Sequence, residues 1–121
     1  MTLPDLVVFA AAAGFALMGV LALAVPARVL SQFGIEGLTA AGRNEVRAVY
    51  GGFGLAVAGL LWFADRTPDL RGGIVLTVGV AVLGMAGGRL VSALIDRGIA
   101  RAPAAYFLLE AVFGAALLYA A

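Results

Sequence analysis

The chain has 121 residues, of which 64% are hydrophobic and 12% charged, and its mean hydropathy is +1.08. A water-soluble domain is rarely this apolar, so the composition indicates a small integral membrane protein. Cys and His are absent, which excludes disulfides and removes the usual ligands of zinc and haem, so we predict no metal site and no cofactor. The eight basic residues, all arginine, nearly balance the seven acidic ones, so we expect no binding to nucleic acid.

Four apolar segments follow one another along the chain, each close to the roughly 20 residues that cross a bilayer. We place them at about 6–25, 46–64, 72–94 and 103–121, within a single domain of residues 1–121. Pro68 is expected to begin the third helix and Gly98 to end it. The alternative for the first segment is a signal peptide, which begins with basic residues. Here the residues before the segment include the acidic Asp5 and no basic residue. The sequence therefore predicts an all-α membrane protein, a four-transmembrane-helix up-down bundle.

The connection after the first segment is the only long one. Within it, Val29, Leu30 and Phe33 share one helical face, while Arg28 lies mostly on the other. One interpretation is a short helix over 27–33 that lies in the membrane interface. The other interpretation is an ordinary connecting turn.

Arginines in the connections predict the orientation, because cytoplasmic loops carry an excess of basic residues. The connections that follow the first and third segments hold Arg28, Arg43, Arg97 and Arg101, whereas the opposite side holds Arg66 and Arg71. Both termini are therefore expected on the periplasmic side. Abundant Ala, Gly and Arg without Lys is typical of a high-GC bacterial genome, so we expect a bacterial inner membrane location.

Two stretches suggest an internal repeat. Residues 47–52 read RAVYGG and align with EAVFGA at 110–115, and the spacing of Gly14 and Gly19 recurs at Gly79 and Gly84. Two duplicated helical hairpins related by an axis along the membrane normal would explain this pattern. Chance similarity in a chain so rich in Ala, Gly and Val is the alternative.

Three charged residues are expected inside the spans, where a charge costs about 2.5–3.5 kcal/mol on insertion scales. Arg47 lies about one turn inside the second helix, Arg89 roughly 9 Å inside the third and Glu110 roughly 10 Å inside the fourth. All three are thus predicted at a similar depth in the cytoplasmic leaflet. Helical spacing adds Asn44 and Ser92 to this candidate cluster, and Glu45 and Tyr50 flank it.

The candidate cluster has three interpretations. Glu110 neutralises Arg47 or Arg89 and fixes the packing of the helices, as a structural ion pair. Alternatively, the excess of arginine forms a cytoplasmic pocket for an anionic lipid or a small anionic ligand, since guanidinium groups suit carboxylate and phosphate. In the third interpretation Glu110 has a proton-coupled role, as acidic residues inside membrane spans often do.

Glycines on the helices are interpreted as packing residues, because small residues let transmembrane helices approach closely. No phosphate loop is predicted, since these glycines follow no strand and are accompanied by no lysine. The same surfaces suit a homodimer or a larger membrane complex. The predicted packing residues are Gly51, Gly52, Gly54, Gly84, Gly88 and Gly114.

Several motifs resemble those of one protein family. Residues 44–52 read NEVRAVYGG, residues 88–90 GRL and residues 96–98 DRG. This set resembles a bacterial family of small four-helix membrane proteins of unknown function, whose members carry an N-x-x-R-x-x-Y-G-G signature, here N-E-x-R-x-x-Y-G-G, and a Glu in the last helix. The resemblance covers nearly the whole chain and implies the four-helix architecture, but it supplies no reaction. A looser similarity to DoxX-like four-helix membrane proteins has no matching residue motif. The residues that the resemblance singles out are Asn44, Arg47, Tyr50, Gly51, Gly52, Arg89 and Glu110.

These observations favour a non-enzymatic membrane protein, either an accessory subunit or a ligand-binding bundle. The alternative is a small proton-coupled transporter that acts as a dimer. Four-helix drug exporters are similar in size, but they carry their essential Glu in the first helix, where this chain has none. An enzyme is not expected, because it would have to work without His, Cys or a metal site.

Overall fold

The structure is a computed structural model that describes Met1–Ala121, and it contains helices and no strand. A π-helical segment, Arg47–Gly52, joins α3 to α4 without a break. Four continuous helical stretches are long and apolar enough to cross a membrane, namely Leu3–Ala24, Ala40–Ala64, Pro68–Asp96 and Arg101–Ala120. The prediction of an all-α chain with four membrane-length helices is therefore confirmed. The α-helices are α1 (Leu3–Ala24), α2 (Pro26–Ser31), α3 (Ala40–Val46), α4 (Phe53–Ala64), α5 (Pro68–Asp96) and α6 (Arg101–Ala120).

The second long helix begins earlier than the apolar run at 46. The side chain of Thr39 accepts a hydrogen bond from the Gly42 N–H at 3.1 Å, which caps the helix and places its start at Ala40. Asn44 and Glu45 consequently lie inside the helix rather than before it. Hydropathy detects only the part of a helix that suits hydrocarbon, whereas a capped helix extends through polar residues at the membrane surface.

The ends of α5 correct one expectation from the sequence. Pro68 is the first residue of the helix, as expected, and no side chain caps this end. At the other end, Arg97 rather than Gly98 adopts the left-handed conformation, with φ 55°. The N–H of Gly98 then donates to the Ala93 carbonyl at 3.0 Å. The turn that ends α5 therefore uses a non-glycine residue in a conformation that usually favours glycine.

The chain divides into two compact units, which we describe separately. The N-terminal unit is Phe9–Phe63. In it α1 runs antiparallel to the long helix that contains α3 and α4, and glycines make the closest approach. A Cβ placed on Gly19 would lie 2.8 Å from the Gly51 carbonyl oxygen and 2.9 Å from Leu55 N, so only glycine fits. Beyond α1, Pro26 is the first residue of the short helix α2, over Pro26–Ser31 rather than 27–33.

The C-terminal unit comprises Met1–Val8 and Ala64–Ala121. Here α5 and α6 form an antiparallel hairpin, because residues early in α5 lie near residues late in α6. A Cβ on Gly114 would lie 2.6 Å from Leu83 Cδ2 and 3.2 Å from Leu83 N, and Gly79 lies against Leu117. Val75 and Leu117 are fully buried. This register also determines which polar residues of the two helices meet.

Candidate functional site

The C-terminal unit contains one charged pair between its two long helices. Arg89 of α5 donates from Nε to both carboxylate oxygens of Glu110 of α6, at 2.7 Å to Oε1 and 3.0 Å to Oε2. The Glu110 side chain is only 8% exposed, whereas that of Arg89 is 25% exposed. The carboxylate is thus enclosed, and part of the guanidinium group remains accessible from outside the hairpin.

Tyr106 completes this group. It lies one helical turn before Glu110, so the two side chains share one face of α6. The Arg89 guanidinium carbon lies 5.5 Å from the centroid of the Tyr106 ring, which is within cation–π range. One guanidinium group is therefore held by a carboxylate and an aromatic ring. We call Arg89, Tyr106 and Glu110 the arginine triad.

The packing of α5 on α6 positions the arginine triad. Gly114 lies one turn after Glu110, and the Leu83 side chain of α5 packs against its backbone. Because this glycine has no side chain, α6 lies close to α5 at that level. The distance between Arg89 and Glu110 then suits a direct hydrogen bond.

The other predicted cluster residues have different environments. Ser92 lies three residues after Arg89 in α5 and is exposed. Asn44, Glu45, Arg47 and Tyr50 belong to the N-terminal unit, and all four are exposed. Arg47 donates from Nε to the Leu23 carbonyl at 3.0 Å, near the end of α1. In the structure Glu110 therefore pairs with Arg89, whereas Arg47 donates a hydrogen bond to a backbone carbonyl.

The predicted packing glycines also divide into groups. Gly51, Gly54 and Gly114 lie against neighbouring residues: a Cβ on Gly51 would lie 2.8 Å from Leu23 Cγ, and one on Gly54 would lie 3.0 Å from the Phe15 carbonyl oxygen. Gly52 is exposed, and the nearest atom to its Cβ position, the Arg47 carbonyl oxygen, would be 3.8 Å away.

Gly84 and Gly88, by contrast, have no atom within 4 Å of a Cβ position, and both are exposed. Within this chain they make no close helix contact.

One ion pair was not predicted from the sequence. Arg71 of α5 donates to the Ala120 carbonyl at the end of α6, at 2.8 Å, and its Nη2 lies 3.4 Å from Asp5 Oδ1. The Asp5 carboxylate also accepts a hydrogen bond from the Thr2 backbone N–H at 2.9 Å. A signal was present, since Asp5 and Arg71 are charges expected at the same side of the membrane. Their contact joins the start of α1 to the α5–α6 hairpin.

Chemically, the arginine triad holds one cation and one anion that pair with each other, and the Arg89 side chain remains partly exposed. It offers no imidazole or thiol. No group of three or more acidic, His or Cys side chains is arranged to hold a metal ion.

Comparison with known proteins identifies the family of this chain. The family model described as Domain of unknown function (DUF4345) matches residues 5–121. The chain belongs to this family. No curated protein and no solved structure matches it. The match covers nearly the whole chain, including both compact units.

Proposed function

We propose that this member of the DUF4345 family is a non-enzymatic protein of the bacterial inner membrane in which Arg89 binds an anionic ligand. Such a protein is an accessory subunit of a larger complex or a small ligand-binding bundle. The observation that carries the proposal is the unequal exposure of the charged pair. Glu110 is enclosed between the helices, while a quarter of the Arg89 side chain is exposed.

Two contacts support a role in binding as well as in packing. Glu110 and Tyr106 hold the Arg89 guanidinium group in one orientation, which lowers the entropic cost of engaging a ligand. The planar guanidinium fork matches the oxygens of a carboxylate or a phosphate. An anionic lipid headgroup and a small anionic metabolite share this chemistry.

The proposed orientation places both termini in the periplasm. It is supported by the excess of arginine in the connections on the opposite side, at Arg28, Arg43, Arg97 and Arg101. The arginine triad then lies nearer the cytoplasmic side, because Arg89 is in the last third of α5. A ligand would therefore reach it from the cytoplasm or the inner leaflet.

Native mass spectrometry of protein extracted gently with its lipids tests the proposal. We expect the wild type to retain a specific anionic mass, and Arg89→Ala to lose it. Arg101→Ala removes the same charge from an exposed position at the start of α6 and should retain the mass. The double variant Arg89→Met/Glu110→Leu, which leaves no unpaired charge, should also lose it. A wild type without bound mass, or the same bound masses in the wild type and in both Arg89 variants, would leave the pair with a structural role alone.

A proton-coupled transporter is the second candidate, and the burial of Glu110 favours it. Acidic residues inside membrane spans often belong to proton or ion pathways, and Glu110 is buried within α6. The dimer that this alternative requires would use the exposed glycines Gly84 and Gly88. Neither feature identifies a substrate.

Proton flux into proteoliposomes that contain a pH-sensitive dye tests this candidate. For a transporter we expect Glu110→Gln to abolish the flux and Glu45→Gln, at an exposed carboxylate of α3, to leave it unchanged. Equal flux in wild-type, Glu110→Gln and empty vesicles would reject the candidate.

A further inference from the structure

Two arginines of the N-terminal unit lie one helical turn apart at the end where α1 finishes. Arg43 donates from Nη1 to the Leu38 carbonyl at 2.9 Å, and Arg47 donates from Nε to the Leu23 carbonyl at 3.0 Å. Each guanidinium group is thus held by one backbone acceptor. Neither arginine has a carboxylate within ion-pair distance. Glu45 lies between them in sequence but two residues from each, so it faces away from both.

The surroundings of Arg47 place this pair at the edge of the apolar zone. The apolar run of this helix begins at Val46, and Val49 and Phe53 beyond it are 49% and 54% exposed, as expected for side chains that face lipid. On the other side of Arg47, Arg43 and Asn44 are polar. An exposed arginine at this boundary is suited to an anionic partner, because an unpaired charge beside hydrocarbon is costly.

Phospholipid phosphates lie at this boundary of a bilayer. The Nε of Arg47 is occupied by the Leu23 carbonyl, so its two Nη groups remain to form a bidentate contact with phosphate oxygens. Arg43, one turn closer to the aqueous phase, is positioned to add a second contact. The short helix α2, which carries the exposed Arg28, contacts α3 at the same end of the unit.

We infer that Arg43 and Arg47 form a binding site for the phosphate of an anionic glycerophospholipid. We call it the Arg43/Arg47 site. It lies wholly within the N-terminal unit and is independent of the arginine triad proposed above. The Leu23 carbonyl, one of the last in α1, accepts a hydrogen bond from Arg47 and so orients its side chain. The positive charge of Arg47 also interacts favourably with the negative, C-terminal end of the α1 helix dipole. One residue therefore both caps a helix and binds a lipid.

Titration of the delipidated full-length protein with phosphatidylglycerol, followed by native mass spectrometry, tests this inference. We expect one tightly bound lipid in the wild type and weak binding of phosphatidylcholine. Arg47→Gln retains an amide donor for the Leu23 carbonyl but removes the charge and both Nη donors, and we expect binding to weaken at least about tenfold, since one charge-assisted hydrogen bond alone is worth that much. Arg43→Gln removes the other arginine of the site, which binds the Leu38 carbonyl and not α1, and it should weaken lipid binding similarly. The double variant should lose the bound lipid.

Arg101→Gln is the matched control and should bind like the wild type. Arg89→Ala should also retain this lipid, so failure of the triad and failure of the Arg43/Arg47 site can be told apart. Equal phosphatidylglycerol affinity in wild-type and both Gln variants would overturn the inference. So would displacement of the lipid by millimolar inorganic phosphate alone, since the site would then bind free phosphate rather than a lipid.

Discussion

Arg89→Met is expected to lower the free energy of unfolding by about 3 kcal/mol, the loss seen when one partner of a buried ion pair is removed. The reason is the position of Glu110, whose side chain is 8% exposed and whose two oxygens both accept from Arg89 Nε. Without the guanidinium group, the carboxylate has to remain charged in an apolar site or take up a proton. Reversible unfolding by SDS in mixed micelles, followed by circular dichroism, measures the change.

Two controls separate the pair from a general effect of charge. Arg101→Met alters an exposed residue and should change the unfolding free energy by less than about 0.5 kcal/mol. Arg89→Met/Glu110→Leu should recover most of the loss, because replacing both members of a buried pair by apolar groups is often neutral. If the single Arg89 and Arg101 variants were equally stable, the pair would not hold α5 against α6.

The sequence was sufficient to locate the four long helices, because a chain in hydrocarbon must satisfy its backbone hydrogen bonds within each segment. It was also sufficient to identify Glu110 and two arginines as the buried-charge candidates. It could not choose between Arg47 and Arg89 as the partner of Glu110. Depth along a helix follows from residue number, but the direction of a side chain depends on the rotation of the helix, which packing determines.

The π-helical segment, Arg47–Gly52, is a second feature that the sequence could not predict. The prediction that Asn44 is a neighbour of Arg47 assumed regular α-helical spacing throughout the second helix. Over Arg47–Gly52 the turn is wider, and hydrogen bonds reach one residue further than in an α-helix. Arg47 and Gly51, at the two sides of this turn, both contact Leu23 of α1. The sequence contained no signal for this change, because adjacent glycines are frequent in the chain.

Glycines could not be sorted by sequence either, since composition does not reveal which of them faces a neighbouring helix. Gly14 and Gly19 both lie in α1, yet only Gly19 meets other residues. Its Cβ position would be 2.8 Å from the Gly51 carbonyl oxygen and 2.9 Å from Leu55 N. Both neighbours are backbone atoms of the facing helix, so no side-chain rotation can relieve the clash.

Gly19→Ala should therefore destabilise the protein by about 2 kcal/mol, within the range of overpacking in a tight interface. Gly14→Ala, with no atom within 4 Å of its Cβ position, is the matched control in the same helix. It should cause no loss and gain up to about 1 kcal/mol, because alanine restricts the unfolded chain more than glycine does. SDS unfolding of the two variants side by side measures the difference. If both variants were equally stable, α1 and the helix that contains Gly51 would not pack through Gly19, and the antiparallel arrangement of the N-terminal unit would lose its closest contact.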